Sequence, residues 1–287
     1  MKITTTPTTG AASGQRRDDA PRKPASSLAA RAFAVQQAFT RLPGDVHALR
    51  VIAKTAGLDD ATTHRILQTG VDDGVFEQVG RGRYRLGTGT ARAGVQAMAH
   101  SPGAASTNGI LELLHQATGG LALLYVLSPF GGAKRLCTDY VIGDLDPADV
   151  GMSAEDVVSV SRSLRTGASG RVILAHLPQP IQELVLAEEV PPTAGPGAIR
   201  DNDVLAASLD EIRQLGFAVG RQECMPGWDS VAAPVLWHDA IMGAVLMLKP
   251  AADMPADLRP LIYHTRKAAE SLSALNRVPR TTSGGSD

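Results

Sequence analysis

Short polar and basic side chains gather at two places in the first third of this 287-residue chain. The apolar Ile66 and Leu67 give the first group an inward-facing back, as a helix lying in a DNA groove requires. Threonine and glutamine can contact base edges in the major groove, and arginine binds phosphate or braces the fold. The second group lies in a glycine-rich turn that could reach the DNA backbone or the minor groove. The candidate DNA-binding residues are Thr62, Thr63, His64, Arg65, Gln68, Arg81 and Arg83.

The segments around these residues have the pattern of a winged helix-turn-helix, which is three helices followed by a two-stranded hairpin. Apolar residues at helical spacing predict the helices, and Asp45 is placed to cap the second of them. Asp59 or Asp60 is placed to cap the third, which carries the first polar group. The turn Gly80-Arg81-Gly82 forms the tip of the hairpin. The predicted ranges are 28–40, 46–56 and 60–73 for the helices and 75–86 for the hairpin.

The composition excludes several classes of protein. Hydrophobic residues make up 44% of the chain and charged residues 20%, which is enough apolar material for a folded core. No run of 18 apolar residues is present, so we expect no membrane-spanning helix and no membrane partner. Cys137 and Cys224 are too few for a disulfide framework or a four-ligand zinc site, and a reducing cytoplasm is the expected location.

Charge divides the chain into a basic front and an acidic body. Residues 1–27 and 28–100 each carry a formal charge of +3, and residues 101–287 carry −7. This asymmetry favours a polyanion-binding module joined to a domain of different function. The basic residues of the first 27 either contact DNA phosphates or are simply solvated; they include Arg16, Arg17, Arg22 and Lys23. The predicted division is a disordered tail, the winged helix, a linker helix, a second domain and a second tail, at 1–27, 28–88, 89–101, 102–278 and 279–287.

The second domain has the pattern of an antiparallel sheet with helices packed on it, so the predicted fold class is α+β. Apolar runs predict its strands at 121–128, 134–142, 217–223, 230–236 and 241–248. Helical spacing predicts its helices at about 105–117, 166–176, 179–188, 203–215 and 255–276.

Three blocks of sequence, in this order, resemble the IclR-type family of bacterial transcriptional regulators. The first block, residues 47–87, has a Gly57-Leu58 turn, a Thr-x-x-Arg-x-Leu pattern that starts at Thr62 and a closing Tyr-Arg-Leu-Gly at 84–87. The second is LRTGASGRVILAHLP at 164–178, in which Arg171 stands where the family usually has lysine. The third is IRQLGFAVGRQECMPGWDSVAAPV at 212–235. The resemblance covers about residues 28–276.

This resemblance implies a GAF-like second domain that holds a small organic effector, acidic or aromatic, between its sheet and the segment before a helix. Ser169 and the backbone N–H groups at a helix start suit a carboxylate, and Trp228 either stacks on the ligand or packs on the surface. Three arginines are either counter-ions for an anionic ligand or solvated charges, namely Arg165, Arg171 and Arg221. By position, the resemblance places the effector site at Ala168, Ser169, Gly170, Gly220, Glu223, Ser230 and Met247.

The family further implies binding to double-stranded operator DNA as a dimer or tetramer, because one module alone contacts few phosphates. The predicted function is that of a repressor that senses its effector through the second domain. The linker helix at 90–100 is the expected route of coupling. The alternative is a constitutive DNA-binding protein whose second domain only oligomerises.

An enzymatic function is not expected. The run at 167–171, GASGR, comes near the Gly-x-Ser-x-Gly nucleophile elbow but lacks the last glycine, and no acidic residue is obviously placed to orient His176. The seven histidines show no metal-ligand spacing, so neither a metal nor a cofactor is expected. Cys137 lies in a predicted strand and is expected to belong to the hydrophobic core. Cys224 lies nearer the predicted pocket, and a redox role for it is an open hypothesis.

Overall fold

The computed structural model of the chain describes residues 27–99, 104–128, 132–143, 162–237 and 239–275. The helices are α1 (Leu28–Arg41), α2 (Leu49–Ala56), α3 (Asp60–Asp72), α4 (Thr88–Met98), α5 (Ala104–Thr118), α6 (Ala168–His176), α7 (Gln179–Leu186), α8 (Asn202–Leu215) and α9 (Arg259–Ala274). The strands are β1 (His47–Ala48), β2 (Phe76–Gly80), β3 (Arg83–Leu86), β4 (Leu121–Leu127), β5 (Lys134–Val141), β6 (Arg162–Ser163), β7 (Ala218–Arg221), β8 (Trp228–Trp237) and β9 (Ala240–Pro250).

The N-terminal unit is a winged helix-turn-helix, as predicted. Helices α1, α2 and α3 pack on a three-stranded sheet of order β1-β3-β2. Their apolar faces meet in one core, which includes Val35, Phe39, Ile52, Leu67 and Tyr84. Gly57 ends α2 in the left-handed conformation, with a φ of +69°, which a glycine adopts at little cost.

One predicted cap is wrong. Asp45 does not cap α2, because the helix begins at Leu49 and its N-cap residue is Ala48, which makes no side-chain capping bond. The physical reason is β1, which the sequence did not predict. His47 and Ala48 pair with Tyr84 and Arg83 of β3, so this backbone lies in the sheet and the helix starts later.

The second unit is a six-stranded antiparallel sheet of order β6-β5-β4-β9-β8-β7, covered by helices on both faces. Helices α6 and α8 pack on one face, and α5 and α9 pack on the other. This arrangement confirms the α+β fold class with a curled antiparallel sheet. Strand β6, a two-residue edge strand, was not predicted, and α9 begins at Arg259 because residues 254–258 stay irregular.

Sheet strands with both faces covered carry apolar side chains on both sides. Residues of β9 alternate between the two faces. Leu246 and Leu248 pack towards α6, whereas Val245 and Met247 pack towards α5 and α9. This alternation is decisive for the site below, because adjacent residues of one strand belong to different cores.

Nearly all of the predicted tails and the end of the predicted linker helix lie outside the described residues. The linker helix itself is present as α4, which begins at Thr88, directly after the N-cap residue Gly87 that follows the wing. Among the helices that the structure describes, none is long and apolar enough to cross a membrane.

Candidate functional site

The third helix begins with a side-chain cap that uses one of the predicted DNA-binding residues. Asp59 accepts hydrogen bonds from the backbone N–H of Thr62 at 2.7 Å and from its hydroxyl at 2.8 Å. These two donors lower the pKa of the Asp59 carboxyl below its usual value. Thr62 is therefore engaged in starting the helix, and it is only 7% exposed.

Thr63 lies on the inner face of α3. Its side chain is fully buried and its hydroxyl has no hydrogen-bond partner. A side chain in this position cannot reach a base edge, so the expected contact at Thr63 does not fit the structure. The prediction followed the position of Thr63 near the helix start, whereas the packing of α3 on α1 and α2 turns this residue inwards.

The outer face of α3 presents His64 and Arg65, both exposed. Gln68, one turn later, is half-buried and donates from Nε2 to the Tyr84 hydroxyl at 3.0 Å. The tyrosine belongs to β3, so this bond joins the recognition helix to the wing. Gln68 is thus held in one orientation at the edge of the surface that would face DNA.

The wing carries two guanidinium groups that are free to bind an anion. Arg81 and Arg83 are exposed, and neither side chain makes a hydrogen bond or ion pair with another described residue. Arg85, in contrast, is held by Glu77 through two bonds of 2.9 and 3.0 Å. The geometry therefore separates the predicted pair from the neighbouring arginine, which stabilises the hairpin.

A small enclosed cavity of about 40 Å³ lies in the second unit, between the sheet and the start of α6. This volume is sufficient for a water molecule but is much smaller than an aromatic acid, so a larger ligand requires the walls to move. The apolar wall consists of Leu123, Ala168, Met225, Trp228, Leu246 and Leu248. The polar wall consists of Tyr125, Arg135, Arg162, Ser169, Glu223, Cys224 and Ser230.

The dominant polar group of this cavity is Arg135, which the sequence analysis missed. Its side chain is 1% exposed, and no carboxylate of the described residues contacts it. Its guanidinium donates to the Ser163 carbonyl oxygen and, from Nη2 at 3.2 Å, to the Cys224 sulfur. The Nε hydrogen has no acceptor. A guanidinium has five N–H donors, so most of its hydrogen-bonding capacity in this cavity is unused.

Three hydroxyl groups line the same cavity without a hydrogen-bond partner among the residues that the structure describes. They belong to Tyr125, Ser169 and Ser230. The Arg135 guanidinium lies over the Tyr125 ring, 5.3 Å from its centre, and burial raises the pKa of the Tyr125 phenol. An apolar cavity with a few convergent and unsatisfied polar groups is the usual form of a small-molecule site.

Glu223 has a structural task in addition to lining the cavity. Its carboxylate accepts from the Gly167 N–H at 3.0 Å and from Arg171, through Nε at 3.0 Å and Nη2 at 2.5 Å. Both partners belong to the start of α6, and all three groups are buried. Glu223 therefore fixes the helix start beside the cavity, and its oxygens are already occupied.

Two of the predicted site residues, Gly170 and Gly220, matter because they have no side chain. A Cβ atom on Gly170 would lie 2.5 Å from Arg135 Nη1, and a Cβ atom on Gly220 would lie 2.7 Å from the Ser230 hydroxyl. Neither glycine lines the cavity. Each one allows a polar group of the cavity wall to approach the backbone more closely than any larger residue would.

The predicted role of Met247 does not fit the structure. Its side chain is fully buried in the core formed with α5 and α9, on the opposite face of the sheet. The neighbouring Leu246 and Leu248 line the cavity instead. The reason is the alternation of side chains along β9, which places adjacent residues on opposite faces.

The three predicted counter-ions are engaged elsewhere. Arg171 is paired with Glu223, and Arg221 Nη1 is 2.5 Å from Asp229 Oδ2. Arg165 donates to the carbonyl oxygens of Leu186 and Arg200 and to the Asn202 side chain, away from the cavity. Trp228 is buried and lines the cavity, so it does not pack on the outer surface, which was one of its two predicted placements.

No catalytic arrangement appears around Ser169 in the described structure. The ring of His176 contacts the Val172 carbonyl oxygen at 2.9 Å, one turn away on the same helix, and makes no contact with Ser169. The described residues form no cluster of side chains that could hold a metal ion. The signal that could have found Arg135 is the period-two pattern of β5, in which Arg135 and Cys137 share the inward face.

Comparison with known proteins decides the family. The model of the IclR helix-turn-helix domain matches residues 28–80, and the model of the bacterial transcriptional regulator IclR C-terminal domain matches residues 141–274. The chain belongs to the IclR family. Members of this family are DNA-binding transcription factors and not enzymes, so the chain is a transcriptional regulator with an N-terminal DNA-binding domain and a C-terminal effector-binding domain.

Individual relatives of this IclR-family regulator are distant. The probable HTH-type transcriptional regulator ArcR of Halobacterium salinarum is 26% identical over 216 residues, which is 70% of this chain and 75% of that protein. An IclR regulator of Silicibacter sp. has 22% identity and a TM-score of 0.54 over 87% of this chain and 96% of its own. The Thermotoga maritima IclR has 21% identity and a TM-score of 0.54, and the match covers 85% of this chain and 96% of that one. These two structures support the fold alone.

Proposed function

We propose that this IclR-family regulator represses transcription by binding operator DNA and releases or retains that DNA in response to a small organic acid. The observation that carries the effector part is the buried Arg135 guanidinium, which lines an apolar cavity and has no carboxylate partner among the described residues. Burying an isolated cation costs free energy unless an anion accompanies it. A carboxylate at this position would use the spare N–H groups of Arg135 together with the Ser169 and Ser230 hydroxyls.

The DNA part rests on the surface formed by His64, Arg65 and the wing. Arg81 and Arg83 are exposed and free of protein partners in the described structure, so both are available to phosphates. We propose that Gln68, fixed by its bond to Tyr84, contacts a base edge, with Thr62 supplying a methyl contact. The DNA-binding domain would comprise residues 28–88, the linker helix 89–101 and the effector domain 102–278, in the cytoplasm where the operator is.

Self-association is part of this proposal. Helix α4 buries none of its residues, and Val95 on it is 67% exposed, as is Leu28 on α1. Exposed apolar side chains on two helices favour a helix-to-helix contact with a second copy. A dimer would also double the number of phosphate contacts and would cover the operator against polymerase.

The binding of an organic acid is tested first with two small molecules that differ in charge. Acetate and acetamide have nearly the same shape, but only acetate carries a charge. We expect acetate to raise the melting temperature of the protein above that in equal sodium chloride, and acetamide to have no effect. The Arg135→Gln variant should lose the acetate effect while remaining folded. Equal responses to acetate and acetamide would contradict a role for the guanidinium in binding an anion.

The regulatory part is tested by gel shift on the DNA upstream of the protein's own gene, with a panel of organic acids added. An IclR homolog of Microbacterium hydrocarbonoxydans, which shares 21% identity with this chain and has a TM-score of 0.51 over 86% of this chain and 98% of its own, was crystallised with 4-hydroxybenzoate. That acid is a natural member of the panel. A specific shift that one acid changes would support the proposal, and derepression of a reporter on gene deletion would support repression as the direction.

A constitutive DNA-binding protein whose second domain only oligomerises is the second candidate. The small size of the cavity, about 40 Å³, is the observation that favours it, since a cavity of this size holds little more than water. A saturating effector should stabilise a true sensor by about 2.7 kcal/mol at a hundred times its dissociation constant. A specific DNA shift with no thermal response to any acid would favour the constitutive protein.

A further inference from the structure

Cys224 lies at an unusual place in the cavity wall, between a buried cation and the start of a helix. Its sulfur accepts a hydrogen bond from Arg135 Nη2 at 3.2 Å. It also packs directly on Gly167, the N-cap residue of α6, so closely that a Cβ atom on this glycine would overlap it. Gly167 has a φ of +82°, which a larger residue would adopt only with strain. The glycine therefore makes room for the sulfur at the helix N-terminus, where the partial charge is positive.

Arg135 gives a second and independent indication of a ligand at this point. Its side chain is almost completely buried, its Nε hydrogen has no acceptor, and it lines the cavity that Cys224 also lines. Buried donors of this kind are normally satisfied by protein, water or a ligand. A molecule that contacts the sulfur would therefore find unused N–H donors beside it.

Cys224 is only partly buried. The residue lines the cavity and also a larger groove of about 340 Å³, which Lys134, Thr166 and Glu188 line as well. Cysteines in electropositive and partly exposed surroundings are the ones that react in proteins. Cys137, in strand β5, is the opposite case, since it is 6% exposed and burial raises the pKa of its thiol to about 11.

We propose that Cys224 is a covalent modification site that captures small α,β-unsaturated carbonyl compounds, and that Arg135 binds the carbonyl oxygen of the compound during the capture. This site goes beyond the sensing of an acid by non-covalent binding. Capture is a property of the folded domain by itself and requires neither DNA nor an effector.

The chemistry is an addition and is balanced without a further reactant. The Cys224 sulfur forms a bond to the β-carbon of the compound, and the carbon–carbon π bond breaks. Negative charge develops on the carbonyl oxygen, where the spare N–H groups of Arg135 stabilise it. The proton of the thiol finally resides on the α-carbon. Nothing is oxidised or reduced, and no group leaves.

The probe for this site is acrylamide, which is a small unsaturated amide, and the saturated propionamide is its unreactive counterpart. The full chain is treated with acrylamide at neutral pH, and adducts at Cys224 and Cys137 are followed by mass spectrometry. The same reaction in urea gives the rate of each unfolded thiol. We expect Cys224 to react at least about tenfold faster than Cys137 in the folded protein, and faster folded than unfolded. Propionamide should give no adduct.

Two arginine variants test the role of the guanidinium. In Arg135→Met the rate at Cys224 should fall severalfold, whereas Arg135→Lys, which keeps a positive charge, should recover part of it. If Arg135→Met does not fold, acetate on the unchanged protein takes its place, because an anion bound to Arg135 should slow the labelling of Cys224. Labelling of Cys224 that is slower in the folded protein than in urea would overturn the proposal. So would a rate that neither variant nor acetate alters.

Cys224→Ser and Cys137→Ser form the matched pair for the functional consequence. The acrylamide-treated protein is compared with its untreated form in the gel shift, and the treatment should change DNA binding in Cys137→Ser but not in Cys224→Ser. This last measurement rests on the proposed function. If DNA is not bound at all, the labelling rates still decide the capture, so the two failures are distinguishable.

Discussion

The carboxylate of Glu223 and the guanidinium of Arg171 form a buried two-point ion pair, with contacts of 2.5 Å at Nη2 and 3.0 Å at Nε. The same carboxylate accepts the N–H of Gly167. The pair therefore joins the β7–β8 connection to the start of α6 on one side of the cavity. The departure from the family's usual lysine at position 171 has a structural meaning, because only arginine offers two parallel donors to one carboxylate.

Loss of this pair should be costly. Removing one partner leaves the other as an uncompensated buried charge, and Glu223→Ala should lower the free energy of unfolding by about 3–5 kcal/mol. Urea unfolding followed by circular dichroism measures this difference. The double variant Arg171→Met with Glu223→Leu should cost clearly less than the sum of the single changes. The fully exposed pair Arg259 and Asp257 is the control, and Arg259→Ala should leave the unfolding midpoint unchanged.

The buried hydroxyl of Thr63 leads to a prediction of opposite sign. An unsatisfied buried hydroxyl costs about 1–3 kcal/mol relative to a satisfied one, and valine has the same shape without it. Thr63→Val should therefore keep or raise the stability of the DNA-binding domain. Operator affinity should be unchanged, whereas Arg65→Ala should lower it. Loss of operator binding in a stable Thr63→Val protein would place this side chain on the DNA after all.

The sequence was sufficient for the order of the helices and the longer strands and for the class of each unit, because long amphipathic helices and turn glycines are local signals. It missed the two-residue strands β1 and β6, which depend on pairing with distant segments. Its other failures concern which face of an element a residue lies on. Met247 was assigned to the cavity by its position in the family resemblance, and the apolar run from Ala240 to Leu248 does not show which of its residues face which side of the sheet. The phase is set by helices on both sides of the sheet. Thr63 failed for a different reason, because its spacing of three and four positions from the inward-facing Ile66 and Leu67 was overlooked.

Arg135 was missed for a different reason. A lone arginine in a strand next to Lys134 has the appearance of a solvated charge, and its place on the same face of β5 as the buried Cys137 was overlooked. Arg165, Arg171 and Arg221 were chosen because they lie within recognised blocks of sequence. Their partners, however, are carbonyl oxygens and carboxylates that long-range packing brings to them. Pairing between distant segments is therefore the information that the sequence alone did not contain.

A pair of substitutions can show which face of the sheet contributes to acetate binding. Ser230→Ala removes a hydroxyl from the cavity and should reduce the thermal stabilisation by acetate, with only a small change in basal stability. Met247→Ala creates a cavity on the other face and should cost about 2–5 kcal/mol, with the acetate response unchanged. Both are measured by thermal unfolding with and without acetate. A Met247 variant that loses its acetate response while Ser230→Ala keeps it would reverse this assignment.

The wing can be tested through the salt dependence of operator binding. Each phosphate contact contributes about 0.9 to the slope of log affinity against log salt concentration. Because Arg81 and Arg83 are exposed and unpaired in the described structure, replacing both by alanine should reduce this slope by up to about 1.8 for each bound protomer. Arg85→Ala is the control, since Arg85 is held by Glu77 and should leave the slope unchanged. A fluorescence anisotropy titration at several salt concentrations provides the slopes.

The buried thiol of Cys137 should make the stability of the second unit depend on alkaline pH. Burial raises the pKa of this thiol to about 11, above its ordinary value of 9.0. A raised pKa in the folded state means that its contribution to stability is complete below pH 9 and is lost as the pH rises through 11. The loss should amount to about 2–3 kcal/mol, since each pKa unit corresponds to about 1.4 kcal/mol. Unfolding in urea between pH 8 and 11 should therefore show a steeper decline in the unchanged protein than in Cys137→Ala. Parallel declines in the two proteins would mean that the Cys137 thiol is not shielded as the structure has it. Cys224→Ser is the control, because it removes a thiol that is only partly buried.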